Sequence, residues 1–274
     1  MLENRRMYVD SHCHLSFPEL FDNLPAIREA MADAGVERAL CICTTLDEFD
    51  RVQGLTASYA NFWCSVGVHP DDADSREPTV EGLVELARRP KVVAIGETGL
   101  DYYRLEGRSL AEMEWQRNRF RVHIAAARAC GLPLVIHTRS ASADTLRVLD
   151  EEQGSDAGGV FHCFTETADV ARAALDRGFH ISFSGILTFK TAHELREVAA
   201  FVPLDRCLIE TDSPYLAPVP FRGKLNSPAY VPHVARQLAA VKGIRVEEVA
   251  DATRTNFERL FAIPADVPRS SGSA

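Results

Sequence analysis

Met7–His14 reads MYVDSHCH, a short β-prone apolar run that breaks into His-x-His. Seven further runs of the same kind follow. They are Ala39–Thr44 (ALCICT), Phe62–Val68 (FWCSVGV), Val92–Gly96 (VVAIG), Leu134–Ile136 within PLVIH, Gly159–Cys163 (GVFHC), Phe179–Ser184 (FHISFS) and Cys207–Thr211 (CLIET). The first begins near residue 7 and the last near 207, so the mean spacing is about 29 residues. Segments with helical spacing lie between them: Pro25–Ala34, Ser109–Cys130, Thr167–Arg177, Ala192–Phe201 and Val231–Val241. Val246–Phe261 reads as a closing helix. Strand, helix and strand at this period imply parallel βαβ units. Eight of them predict a (β/α)8 TIM barrel, an α/β fold in one domain spanning residues 1–263. An open doubly wound sheet is the competing arrangement, but no GxGxxG follows the first run. Residues 264–274 (PADVPRSSGSA) read as a disordered end.

The composition agrees. A chain of 274 residues can be one large barrel, and it buries enough surface to fold without disulfides. The formal charge of −9 argues against a protein that holds nucleic acid on a broad basic surface. It leaves room for a local, metal-centred phosphate site. Seven cysteines, an odd number without CxxC, read as free thiols of a cytoplasmic protein. The first ten residues (MLENRRMYVD) show no apolar signal region, and no run approaches the ~18 apolar residues of a membrane span.

The chemistry stands at the ends of the runs. His12 and His14 close the first, His69 follows the third, Glu97 the fourth and His137 the fifth. His162 lies in the sixth and Asp212 follows the eighth. In a barrel these ends face one cavity. Residues i and i+2 at a strand end share a face, so His12 and His14 can grip one ion. Four imidazoles (His12, His14, His137, His162) and two carboxylates (Glu97, Asp212) exceed what one ion takes, which implies two ions with Glu97 as the bridge. Two divalent ions clamp an electrophile and lower the pKa of a bound water toward ~7. Imidazoles favour Zn²⁺ or Mn²⁺ over Mg²⁺. Arg139, two residues after His137, faces the cavity and suits a phosphate oxygen. Tyr102 and Tyr103 offer stacking surfaces for a base. Arg222, in the loop after the eighth run, stands where barrels bind phosphate. His123, His180, His193 and His233 read as structural.

Asp10–Leu15 (DSHCHL), Ile95–Tyr103 (IGETGLDYY), Pro133–Arg139 (PLVIHTR), His162–Phe164 (HCF), Ile181–Lys190 (ISFSGILTFK), Leu208–Pro214 (LIETDSP) and Arg222–Val231 (RGKLNSPAYV) together resemble the TatD family of metal-dependent deoxyribonucleases. More loosely, they resemble the amidohydrolase superfamily. The resemblance covers Tyr8 to about Leu260. It implies one metal on His12, His14, Glu97 and Asp212 and a second on Glu97, His137 and His162. It also implies a magnesium-dependent 3′→5′ exonuclease acting on DNA, with His69 and Arg139 near the scissile phosphate. Three positions depart from the family pattern: Ser16, Thr165-Glu166 and Phe221. Glu166 adds negative charge near the mouth, which works against tight DNA binding.

The expectation is a phosphodiesterase that cuts DNA with a short footprint, without membrane or obligate protein partner. Catalysis falls to Asp212, Glu97, His69 and Arg139, and substrate contact to His69, Tyr103, Arg139 and Arg222. Activity is expected with Mg²⁺ or Mn²⁺, and Zn²⁺ as purified. An ester or amide hydrolase, such as an aminoacyl-tRNA deacylase, keeps the same site with another bond. A non-catalytic metal scaffold is a third class.

Overall fold

The computed structural model describes residues 7–105 and 107–265. Among them, eight strands run parallel in the order β1 to β8. These are β1 (Tyr8–Cys13), β2 (Val36–Cys41), β3 (Phe62–Val66), β4 (Val92–Asp101), β5 (Leu134–Arg139), β6 (Gly159–Phe161), β7 (His180–Phe183) and β8 (Cys207–Ile209). The helices around them are α1 (Pro18–Phe21), α2 (Leu24–Ala34), α3 (Phe49–Ala57), α4 (Val80–Ala87), α5 (Glu114–Cys130), α6 (Ser142–Glu151), α7 (Ala168–Asp176), α8 (His193–Phe201), α9 (Val231–Lys242) and α10 (Val246–Leu260). This is a (β/α)8 TIM barrel. No helix among the described residues is long and apolar enough to cross a membrane.

Alternation along each strand sorts the core into two layers. Ala39, Cys41, Phe62, Cys64, Leu134, Ile136, Phe161, Cys207 and Ile209 face the helices. Leu40, Trp63, Val135, Val160 and Leu208 face inward, where Phe257 of α10 and Phe261 just after it plug the bottom of the barrel. The inward parity then continues upward into ionisable residues: Val135 to His137, Val160 to His162, Leu208 to Glu210. The same pleat that packs the floor therefore aims the top.

β4 breaks the rule usefully. Ala94 is inward and Ile95 outward, so strict alternation would turn Glu97 toward the helices. The β4–β5 register slips between Ile95 and Thr98, and one slip exchanges the faces. The slip falls at Gly96, where φ is +146° and a Cβ would stand 2.6 Å from the Val135 carbonyl oxygen. Only glycine fits that approach.

The barrel closes between β1 and the chain after β8. The Asp212 N–H donates to the His12 carbonyl (2.9 Å), the His14 N–H to the Ser213 carbonyl (2.8 Å) and the Thr211 N–H to the Asp10 carboxylate (2.9 Å). At the floor, Arg38 pairs with Glu258 (2.7 Å) and donates to the Ala265 carbonyl. Of the end expected to be disordered, Pro264 and Ala265 are thus described, and residues 266–274 lie outside the described residues.

Three differences from the sequence reading stand out. β4 runs on to Asp101 rather than stopping at Gly96, and α3, α4 and α6 form where no helix was expected. The sixth strand stops at Phe161, one residue before His162, and the eighth at Ile209, three before Asp212. All seven cysteines are free, with Cys13, Cys41, Cys43, Cys64 and Cys207 buried.

Candidate metal centre

Glu97 is buried at the centre of the upper barrel, and its two oxygens face different partners. Oε2 lies 3.4 Å from His12 Nε2. Oε1 lies 2.8 Å from His162 Nε2, 3.2 Å from His137 Nδ1 and 3.4 Å from His69 Nε2. On the Oε2 side, His12 Nε2 and His14 Nε2 are 3.3 Å apart, and Asp212 Oδ1 is 3.5 and 3.3 Å from them. The six residues singled out as ligands converge, and His69 joins them as a fifth imidazole.

These donors stand at separations that ligands of one ion adopt. His162 Nε2 sits 2.8 Å from Glu97 Oε1, the shortest of these contacts. A tetrahedral ion with bonds of about 2.05 Å spaces its donors about 3.3 Å apart. The His12, His14 and Asp212 separations match that edge. The donor set therefore fits divalent ions, with groups that could hold one at His12–His14–Glu97, His12–His162–Asp212 and His69–Glu97–His137.

Two further carboxylates, not singled out from the sequence, stand behind the imidazoles. Asp101 Oδ2 is 3.0 Å from His137 Nε2, and Glu210 Oε1 is 3.3 Å from His162 Nδ1. Each takes the proton-bearing nitrogen and leaves the other free to ligate. Glu210 also accepts the Cys163 N–H (2.8 Å), which helps hold Cys163 at φ 42°. Such a left-handed residue costs of order 1 kcal/mol. The strand parity that carries Leu208 inward is the signal that could have identified Glu210. His12 Nδ1 and His14 Nδ1 have no such backing.

The charges couple tightly. Burial pushes Glu97 up, but the surrounding imidazoles, His162 first, hold it well below the usual carboxylate range. Burial also opposes charge on His162, His137 and His14, yet Glu97, Asp101 and Asp212 beside them raise all three. Without ions, protons on these rings balance the carboxylates. An entering metal must displace them, so metal affinity falls as pH falls. We expect about tenfold weaker binding per pH unit for each proton displaced, between pH 8 and 6. Calorimetry in buffers of different ionisation enthalpy reads the released protons, and pH-independent affinity would contradict the expectation.

His69 differs from the other rings. Its Nδ1 accepts the Asp71 N–H (3.1 Å), so the neutral ring carries its proton on Nε2, toward Glu97. Burial lowers its pKa to about 4. Its loop hangs on α5: the buried Arg119 donates to the carbonyls of His69 (2.9 Å) and Asp72 (2.7 Å), and His123 Nε2 accepts the Val68 N–H (3.0 Å). His123 is thus structural, as expected.

The cavity above the centre has a volume of about 710 Å³, within the range of small-ligand sites. Arg139 lines its rim with the guanidinium stacked 3.6 Å over the Tyr103 ring. Tyr102 is not available for stacking; it is buried, bonded to Asp144 (2.7 Å) and Arg117 (2.9 Å). Arg222 is not brought to the cavity wall, because its guanidinium lies over Phe189, 4.2 Å from the ring centre. Phe221 stacks on Tyr230 (4.0 Å). Glu166 is partly buried beside Ser142 and Ser140 at the start of α6, and burial raises its pKa.

Comparison with known proteins places this geometry. The profile of the family described as TatD related DNase matches residues 9–262. The chain is 47% identical over 261 residues to a protein of Escherichia coli K12 named uncharacterized metal-dependent hydrolase YcfH, covering 94% of this chain and 96% of that one. It is 36% identical over 236 residues to a Citrobacter rodentium protein named 3′-5′ ssDNA/RNA exonuclease TatD, covering 84% and 88%. The solved structure of the TatD homologue YJJV of E. coli K12 superposes with a TM-score of 0.86 at 27% identity, covering 94% and 98%. With the profile spanning almost the whole barrel and relatives matching end to end, the chain belongs to the TatD-related DNase family of metal-dependent hydrolases.

Proposed function

We propose that this protein is a two-metal phosphodiesterase that shortens DNA from its 3′ end, in the cytoplasm. One observation carries the reading: the two oxygens of Glu97 address two separate groups of donors. His12, His14, Asp212 and Glu97 Oε2 would hold one divalent ion. His137, His162 and Glu97 Oε1 would hold the other. The description of the family and the name of the C. rodentium relative support nucleic acid as the substrate.

Bound as a pair, Mg²⁺ or Mn²⁺ (or Zn²⁺ as purified) supplies Lewis acidity at phosphorus and an acidified water. The chain does the rest. Asp212 directs Oδ1 at the imidazoles and accepts the proton of the attacking water. Its φ of 56° and its N–H bond to the His12 carbonyl hold it at the barrel mouth. His69 offers its Nε2–H to a phosphate oxygen. Arg139, steadied on Tyr103, meets the charge that develops on the phosphoryl group. Asp101 and Glu210 orient His137 and His162.

The test is cleavage of 3′-labelled and 5′-labelled single-stranded DNA by the metal-loaded protein and by the double variant His137→Ala, His162→Ala. Progressive loss from the 3′ end is expected for the unaltered chain, with a loss of at least about a thousandfold in the variant. Equal degradation by both would refute the site. Turnover of small esters or lactams with intact DNA would instead favour the ester or amide hydrolase.

A further inference from the structure

We propose that Phe17 and Tyr215 form a nucleobase platform at the cavity mouth, so that the end of a single-stranded substrate is held by ring stacking more than by charge. The inference rests on the nucleic-acid reading above and adds a base-binding subsite to it.

Both rings hang on tight turns that directly follow proposed metal ligands. The Phe17 N–H donates to the His14 carbonyl (3.0 Å), and the Tyr215 N–H to the Asp212 carbonyl (3.0 Å). The Phe17 ring stacks on His14, with centroids 4.6 Å apart and planes 20° apart. Tyr215 meets Phe17 edge to face at 6.4 Å and 73°. Asn226 fixes the second turn by donating to the Thr211 carbonyl (2.8 Å) and the Tyr215 carbonyl. Yet Tyr215 is 55% exposed, and both rings line the cavity beside Asp212. Tyr215 therefore leaves much of its ring open to the cavity while Phe17, stacked on His14, stands beside it. Its position fits a flat, apolar, ring-shaped ligand attached to the phosphate that the centre below would bind.

Charge points the same way. Arg139 is the single Lys or Arg among the described residues lining this cavity, and Asp71 and Asp72 line it too. With a chain charge of −9, phosphate contacts beyond the reacting one are few. Binding must draw on the faces of the bases, which stack on an aromatic ring whatever their sequence. Weak sequence preference and weak salt dependence follow.

The experiment measures binding of a fluorescein-labelled, nuclease-resistant phosphorothioate decamer of single-stranded DNA to the full-length metal-loaded protein. A matched decamer lacks the base of its 3′-terminal nucleotide. In the unaltered protein the abasic decamer is expected to bind about tenfold more weakly. Tyr215→Ala is expected to weaken the base-bearing decamer by about tenfold and to erase the difference between the two, while Tyr215→Phe restores it. Phe17→Ala acts in the same direction. The slope of log K against log salt is expected near −0.7 to −1.4, the value for one or two phosphate contacts on a single strand. If Tyr215→Ala weakens both decamers equally or neither, or if the slope is steeper than about −3, the platform is wrong while the function stands. If the unaltered protein neither binds the decamers nor cleaves ordinary DNA, the nucleic-acid reading falls, and the platform with it.

Discussion

Glu97→Gln is expected to leave the barrel folded and the hydrolase inactive. Glutamine has the shape of glutamate but only one oxygen to offer. The amide nitrogen would face either the His12 side or the cluster of His69, His137 and His162. In the proposed site, one ion would lose its carboxylate and the proposed bridge would be gone. Two-metal catalysis depends on the spacing of the ions. The expected loss is at least about a thousandfold in kcat, equivalent to about 4 kcal/mol of transition-state stabilisation. Metal content should fall to one ion or fewer per chain. Because the carboxylate is buried among imidazoles that its charge stabilises, the neutral variant should also titrate differently. Removing the charge removes part of the attraction that raises the pKa of His162 and His137, leaving that of Glu210 and Asp101. Steady-state kinetics with elemental analysis checks the expectation, and a variant that keeps both ions and near-normal kcat would contradict it.

Gly99→Ala is expected to be among the most damaging single methyl groups in the described residues. Gly99 pairs with His137 across β4 and β5 and holds φ at +132°. A Cβ built there stands 2.0 Å from the His137 carbonyl oxygen. The obstacle is backbone, so no rotamer relieves it, and the strand pair must separate at the residue that would ligate an ion. A cost of at least about 3 kcal/mol is expected, which for a chain of this size lowers Tm by roughly 10 °C. Metal binding should weaken with it, because His137 moves with its carbonyl. Gly54→Ala is the control. Gly54 lies within α3, nothing stands within 4 Å of its Cβ position, and alanine there should stabilise by up to about 1 kcal/mol. Thermal melts of the two variants side by side give the comparison. A native Tm for Gly99→Ala would show that the β4–β5 contact is looser than described.

How much of this was legible in the sequence depends on the period being read. The eight strands were legible because short β-prone apolar runs recur, about 29 residues apart on average, along the chain. The second half of β4 was not. Thr98, Gly99, Leu100 and Asp101 lie past the run that ends at Gly96, since glycine punctuates it and alternation is lost at the slip. Helices α3 and α4 were missed for a similar reason, each carrying an internal glycine (Gly54, Gly82) that weakens the helical pattern.

The proposed ligands were legible because histidines and acids stood at strand ends. Asp101 and Glu210 escaped because their role is set by what lies across the barrel. Glu210 is 48 residues from His162 in the chain, and Asp101 is 36 from His137. Strand parity marks Glu210 as inward, but it does not reveal a partner. Arg222 stands off the cavity lining for the converse reason. Its loop lies on the correct side of the barrel, and Phe189 captures the side chain before it reaches the cavity.

The central claim is that Glu97 bridges two ions. Anomalous diffraction from crystals of the protein loaded with Mn²⁺ or Zn²⁺, collected on both sides of the metal edge, tests it most directly. The account predicts two anomalous peaks about 3.5–4 Å apart, with one Glu97 oxygen toward each. One peak shared by His12, His14 and Asp212, with His137 and His162 turned to Asp101 and Glu210 alone, would contradict it.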